Sequence, residues 1–285
     1  MEAKIWTVLE LIQWTTAFLK GKGIEGSRRE AEDLLGSVLE LDRLKLYLAF
    51  ETIPTPPELA KFRELVARRA KHEPVQYILG WENFCGMKIN CDPRALIPRP
   101  ETERLAELAI EFLKPLGEAG RFADVGTGTG CIALALLAKT AATGVATDLS
   151  VDALALAREN AAALGLEARL EFFEGPLCAP LQAAFDLIVS NPPYIPDGDR
   201  EGLESEVKDH EPAGALFSGE DGLRELKALL GQAPAKLKAG GRLMLECGKG
   251  QPEALKAGLS SAWASAEIVR DQFDVGRFLL LRKGD

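Results

Sequence analysis

The chain predicts an α/β fold: a Rossmann-like, mostly parallel sheet of seven strands, preceded by a small all-helical domain and a β-hairpin connector. Three observations lead there. From residue 101 onward short β-like runs alternate with helical stretches, and such alternation produces a parallel sheet with helices on both faces. Up to residue 82 the pattern is helical instead. Near the C-terminus two apolar runs are separated by only a short turn, which suits an antiparallel pair and not a crossover.

The elements follow in order. Ile5, Val8, Leu9 and Ile12 recur at helical spacing and give the first helix one buried stripe. Ser27-Arg28-Arg29-Glu30 reads as a capping box opening a second helix through Leu34, Leu35, Val38 and Leu39. Thr55-Pro56-Pro57-Glu58 opens a third, with proline at the first helical position, running through Phe62, Leu65 and Val66. The basic run Lys61, Arg63, Arg68, Arg69 and Lys71 is read as a solvated helix face, with contact to RNA or an acidic partner as the alternative. Residues 83–100, NFCGMKINCDPRALIPRP, combine short alternating segments with three prolines and form the connector. Domains are therefore expected at 1–82 and 101–285, joined by 83–100. Strands are expected at 121–125, 144–148, 168–173, 185–190, 241–246, 266–270 and 277–282. Helices fall near 130–139, 151–164, 221–238 and 251–259.

Composition narrows the function classes. At 285 residues, 47% hydrophobic and 27% charged, the chain is an ordinary globular protein. Its net charge of -9 argues against a nonspecific grip on nucleic acid phosphates, which requires clustered Lys and Arg. Five scattered cysteines without a C-x-x-C, and only two histidines, suggest neither a zinc site nor a disulfide framework but reduced thiols in a cytosol. The opening MEAKIWTVLELIQW, with Glu2 and Glu10, lacks the basic start and apolar core of a signal peptide, and no apolar stretch approaches a membrane span. A cytoplasmic monomer without a metal is expected.

Three points of chemistry lie along one sheet edge. The first strand ends in Asp124-Val125-Gly126-Thr127-Gly128-Thr129-Gly130, where glycines let the backbone turn and approach a ligand closely. The third glycine comes one residue early for a dinucleotide fingerprint, and no Lys-Ser or Lys-Thr pair completes a P-loop. The second strand ends at Asp148, whose carboxylate can accept from both ribose hydroxyls of a nucleoside or cap the next helix. The fourth strand, FDLIVS, runs into Asn191-Pro192-Pro193-Tyr194-Ile195-Pro196. Prolines end the ladder and stiffen the corner, so alone they read as a strand terminator. Beside the other two points they mark a site.

On these residues the chain resembles class I S-adenosylmethionine-dependent methyltransferases, whose cofactor loop is D-x-G-x-G-x-G, and NPPY resembles the motif of enzymes that methylate a nitrogen conjugated to a planar π-system. Adding EPVQYILGWENFCG (73–86), LIPRPETE (96–103), DVGTGTGCIALAL (124–136), EPAGALFSGEDGL (211–223) and LMLECGKGQ (243–251), it resembles the HemK/PrmC family of protein-glutamine N5-methyltransferases acting on peptide chain release factors. The resemblance implies S-adenosyl-L-methionine as cofactor, with S-adenosyl-L-homocysteine as product, held by Gly126, Thr127, Gly128, Thr129, Gly130, Asp148, Leu177 and Asn191. It implies a glutamine amide bound by Asn191, Pro192, Pro193 and Tyr194, with Asn191, Pro192 and Tyr194 catalytic and no general base. The helical domain would help hold the release factor, with no direct nucleic acid binding. Two departures stand out: Pro176 in Gly175-Pro176-Leu177 replaces an acidic residue common in the family, and Asp274-Val275-Gly276-Arg277 matches a D-x-x-G-R run imperfectly. The acid-rich segment 196–220 is read as an element covering the site, or else a solvated loop. Glu101 and Glu103 either face the cofactor crevice or occupy a first helical turn. Methylation of a ribosomal-protein glutamine, methylation of an exocyclic amino group of a base, and a noncatalytic binding module are the competing readings.

Overall fold

The computed structural model describes residues 5–285, so Glu2 lies outside the described residues. The chain divides into two compact units. One comprises the residues through Gly80 together with Glu204–His210, the other Trp81–Leu203 with Glu211–Asp285.

The first unit is helical: α1 (Val8–Lys20), α2 (Ser27–Leu39), α3 (Arg43–Leu48), α4 (Pro56–Arg69) and α5 (Val75–Leu79). Helix α1 begins at a capping box in which Thr7 N–H donates to the Glu10 carboxylate (3.0 Å) and Glu10 N–H to Thr7 Oγ1 (3.3 Å). Ile5 precedes that cap and is exposed, so the buried stripe is Val8, Leu11, Ile12 and Leu19 instead. Ser27 is not a cap either. Gly26, with φ 68°, takes that place, and Glu30 turns away to accept from Arg69 Nε (2.6 Å) and Nη2 (3.1 Å). At α4 the start falls where expected, Glu58 accepting from both N–H and Oγ1 of Thr55. Helices α3 and α5 span fewer than two turns, too short to display a period.

The basic run on α4 is divided by packing. Lys61, Arg63 and Lys71 are exposed, Arg68 pairs with Glu73, and Arg69 is 3% exposed between Glu30 and Glu206 (2.7 Å). Glu206 comes from the 204–210 insertion, which is thereby fastened to this unit.

The second unit starts with the hairpin β1 (Trp81–Phe84) and β2 (Met87–Asn90), two residues earlier than the expected connector. Its turn residues Cys85 and Gly86 both adopt positive φ. There follow α6 (Pro100–Leu113), β3 (Arg121–Val125), α7 (Cys131–Lys139), β4 (Thr143–Asp148), α8 (Val151–Ala163), β5 (Leu170–Glu174) and β6 (Phe185–Ser190). Next in the chain is α9 (Ser205–His210), which belongs to the helical unit, and the second unit resumes with α10 (Arg224–Gln232), β7 (Leu237–Glu246), α11 (Gln251–Ala257), β8 (Trp263–Arg270) and β9 (Gly276–Lys283). The seven-stranded sheet has order β5-β4-β3-β6-β7-β9-β8, with β9 antiparallel to β7 and β8. The α/β class and the antiparallel ending are as the sequence predicts.

One element differs in kind. The helix expected over 221–238 ends at Gln232, and Leu237 already pairs with Phe185. The register then jumps to Leu187↔Arg242, so 238–241 bulge out of the ladder. Pro234 cannot continue a helix, and the Gly240-Gly241 pair permits the bulge.

Each face of the sheet is covered by its own core. Leu105, Phe122, Ile132 and Leu134 belong to one; Val125, Ile188, Leu229 and Leu245 belong to the other. Burial on both faces is why these strands read as apolar runs without alternation. Among the described residues no helix is long and apolar enough to cross a membrane.

Arg69→Ala leaves Glu30 without its main partner. It is expected to destabilise the protein by roughly 2–3 kcal/mol in chemical denaturation, less than a wholly buried pair because Glu206 retains solvent.

Candidate active site

Strand β3 has β4 on one side and β6 on the other, so the chain direction of crossing reverses between β3 and β6. In an open parallel sheet the ligand crevice lies outside the carboxyl ends of the strands at that point. Asp124 pairs in register with Val189, and Ser190 Oγ donates to the Val125 carbonyl at 2.6 Å. The glycine loop and the NPPY corner therefore leave the sheet side by side.

In the loop, Gly126, Gly128 and Gly130 all have positive φ, at 71°, 56° and 83°. The conformation that L side chains avoid is needed three times in five residues, which accounts for the glycine spacing. Gly126 and Thr127 both donate N–H to the Thr147 carbonyl, and Gly128 N–H donates to Asp148 Oδ2 at 2.9 Å. Asp148 Oδ1 accepts from Ser150 N–H. Asp148 thus tethers the loop as well as closing its strand, and burial raises its pKa. Asp124 is fully buried. Its Oδ2 accepts from Thr127 Oγ1 (2.7 Å) and Ala133 N–H (3.1 Å), while Oδ1 has no partner. Burial pushes its pKa up to about 7.

At the corner, Asn191 Nδ2 donates to Thr102 Oγ1 at 3.0 Å, and that hydroxyl donates to Glu246 Oε2 at 2.8 Å. Glu246 is 1% exposed, and burial raises its pKa to about 7 against the favourable effects of Thr102, Arg277 and Tyr194. Burial also raises the pKa of the Tyr194 phenol, and the Glu246 charge adds to it. The Tyr194 carbonyl accepts from Gln251 Nε2 at 2.8 Å. Gly222, with φ 70°, leaves room for that carbonyl, since a Cβ there would come within 2.3 Å of it.

The other expected site residues are distributed as follows. Leu177 adopts φ 48°, its carbonyl accepts from Thr147 Oγ1 at 3.3 Å, and Pro176 beside it is exposed. Glu101 lies close enough to Tyr194 and Glu246 to raise both pKa values, whereas Glu103 faces the hairpin and accepts from Cys85 N–H. The segment 196–220 is anchored at both ends beside the corner. Ile195 N–H donates to the Leu216 carbonyl, Ser218 N–H to the Ile195 carbonyl, and Asp197 N–H to the Gly219 carbonyl, each at 2.9 Å. Within it, Glu211 pairs with Arg99 and accepts from Ile97 N–H. Arg277, from the imperfect D-x-x-G-R run, binds Asp271 at 2.7 Å and faces Glu246.

Thr102, Glu246 and Gln251 were not singled out by sequence reasoning, and Arg277 was named only within the imperfect D-x-x-G-R run. Glu246 carried a signal, a carboxylate ending the apolar strand GRLMLE, but its partners come from α6 and β9 and cannot be read locally. An open depression bordered by Lys114, Glu118, Lys139 and Arg169 lies at the opposite sheet edge, where β4 begins. There Arg169 donates to the carbonyls of Leu137, Thr140 and Ala142 and so caps α7. Among the described residues no group of His, Cys, Asp and Glu is arranged to hold a metal ion.

Asp124 and Glu246 hold protons in the folded chain to a higher pH than when unfolded. Their neutral forms are favoured at low pH, and a penalty for ionising in place develops as pH rises through about 7. Glu246→Gln removes its share, so the variant's melting temperature is expected to gain on the wild type's as pH is raised from about 5 to about 8.

Comparison with known proteins finds relatives along most of the chain. Residues 10–80 match the family model for the PrmC N-terminal domain, and residues 103–205 that for the Methyltransferase small domain. The release factor glutamine methyltransferase of Geobacter sulfurreducens is 46% identical over 254 residues, covering 88% of each chain. That of Deinococcus radiodurans is 42% identical over 275 residues, covering 96% of this chain and 98% of its own. A solved methyltransferase from Pyrococcus furiosus superposes with a TM-score of 0.52 at 20% identity, covering 70% of this chain and 90% of its own, a likeness of fold alone. By its full-length similarity to these relatives, the chain belongs to the release factor glutamine methyltransferase family.

Proposed function

We propose that this protein methylates the N5 amide nitrogen of the glutamine in the Gly-Gly-Gln motif of peptide chain release factors, using S-adenosyl-L-methionine. The observation that carries the reading is the Asn191 corner beside the glycine loop at the sheet's switch point, with the Asn191 Nδ2 already engaged by Thr102.

Three features of the loop fit such a cofactor. Asp124 Oδ1 is a buried acceptor without a partner. A Cβ on Gly126 would meet nothing within 4 Å, so the backbone there is open to close approach. Asp148 uses each oxygen once, for Gly128 and Ser150, and a carboxylate oxygen can accept twice, which leaves capacity for both ribose hydroxyls. Gly126 to Gly130, Asp148, Leu177 and Asn191 would hold the cofactor. When bound, it supplies an electrophilic methyl group and leaves as S-adenosyl-L-homocysteine.

The chain's own contribution is orientation. An amide nitrogen is a poor nucleophile because its lone pair is delocalised, so it must be held in line with the methyl carbon, and orientation lowers the barrier by up to roughly 7–11 kcal/mol in ideal intramolecular cases. Asn191 Oδ1 and the Pro192 carbonyl accept the two hydrogens of the glutamine NH2. They favour the positive charge that develops on nitrogen during transfer. Pro192 and Pro193 keep those acceptors rigid, and Tyr194 offers its ring to the planar amide. The methylated product loses its proton to water. The helical unit contributes to holding the release factor, a cytoplasmic partner, and the enzyme acts as a monomer.

A release factor with an intact Gly-Gly-Gln is expected to gain one methyl mass on that glutamine when incubated with enzyme and cofactor. Transfer of labelled methyl into nucleic acid but not protein would replace this reading. Asn191→Ala is expected to lower kcat about 100- to 1000-fold, the scale of removing one preorganised hydrogen-bonding group, while calorimetry still detects cofactor binding.

A further inference from the structure

We propose that Thr102 and Glu246 are positioning residues that decide which end of the Asn191 amide faces the substrate, an inference that rests on the glutamine-methylating reading above. The two ends of an asparagine amide are nearly the same size, yet only the oxygen can accept from a substrate NH2. Shape alone cannot select it.

The hydrogen-bond chain supplies the selection. Strands β6 and β7 run parallel with Ser190 opposite Leu245, which places Asn191 and Glu246 at neighbouring points just past the ladder. Thr102, on the first turn of α6, bridges them, 3.0 Å from Asn191 Nδ2 and 2.8 Å from Glu246 Oε2. Ionised Glu246 only accepts, so the single hydroxyl hydrogen of Thr102 goes to its Oε2, and the arrangement is complete in the charged form, populated from about pH 7 upward. The Thr102 oxygen is then left as an acceptor, and it requires a donor from Asn191. Nδ2 turns toward Thr102 and Oδ1 is left for the substrate. A flipped Asn191 would set lone pair against lone pair.

Burial makes the preference firm. Thr102 is 3% and Glu246 1% exposed, so water does not substitute for a mismatched partner. Burial disfavours the charge on Glu246 and Glu101 adds to that, while Thr102, Arg277 and Tyr194 favour it. With Glu246 ionised the chain has one direction, from carboxylate through hydroxyl to amide.

Steady-state methylation of a release factor by the full-length enzyme tests this. Thr102→Val keeps the shape but removes donor and acceptor, and kcat is expected to fall about 100-fold, the effect of misplacing a reacting group by about 1 Å. KM for the release factor and the calorimetric cofactor affinity should change far less than kcat, by about threefold at most, because Asn191 is one of several groups that hold each ligand. Thr102→Ser restores the hydroxyl and should recover at least about tenfold of that loss. Glu246→Gln, whose amide can present oxygen or nitrogen to Thr102, should fall between, with kcat about tenfold down. Glu246→Gln removes a buried charge without removing bulk, so it carries the test if Thr102→Val fails to fold. The proposal is overturned if folded Thr102→Val and Glu246→Gln turn over within about twofold of wild type, if Ser is no better than Val, or if the loss lies wholly in KM or cofactor affinity. A wild-type enzyme that binds cofactor but leaves the release factor unmethylated refutes the glutamine reading instead.

Discussion

The parallel pairing of β3 with β6 is the constraint on which the rest of the site depends. Three register pairs, Phe122 with Leu187, Ala123 with Ile188 and Asp124 with Val189, place two chain segments more than 60 residues apart at one sheet edge. Ser190 Oγ on the Val125 carbonyl extends the pairing past the last ladder bond. Everything chemical begins one or two residues later. A slip by one residue would turn the apolar side chains of β6 to the wrong faces, so the buried cores on both sides of the sheet enforce the register.

That arrangement carries an energetic cost. Asp124 and Glu246 lie at strand ends in nearly dry surroundings, each with a pKa near 7 because burial disfavours its charge. Hydrogen bonds from Thr127, Ala133 and Thr102 offset part of the penalty. Groups placed so expensively at the carboxyl ends of strands are characteristic of functional sites. Leu177, a non-glycine residue at positive φ, lies in the same neighbourhood, so some local stability is given up where a ligand must approach.

Much of the fold was legible because parallel strands buried on both faces are written as short apolar runs, and RFADV and FDLIVS could hardly be anything else. Helix signals were less dependable. Ser27 has the right spacing for a capping box, but Glu30 is drawn to Arg69 across the bundle, and a tertiary ion pair outweighed a local one. Residues 233–236 continue α10 as a tighter 3-10 turn, but pairing of Leu237 with Phe185 then starts a strand. The insertion Glu204–His210 folds with the helical unit, which no linear boundary could express. At the site, Asn191, Tyr194, Asp148 and the glycines announced themselves through motif and spacing. Thr102, Glu246 and Gln251 did not, since each acquires its role from a partner distant in sequence.

By itself the sequence determined the α/β class, the antiparallel ending, the glycine-rich turn and the stiff proline corner, because periodicity, φ preference and the missing proline N–H are properties of neighbouring residues. Only the tertiary structure decided what stands behind that corner. Which hydroxyl meets Asn191, and which carboxylate polarises that hydroxyl, depends on α6 and β7 converging over 89 and 144 residues of separation. Hydrogen-bond direction is a property of the assembled network, and no local stretch of chain encodes it.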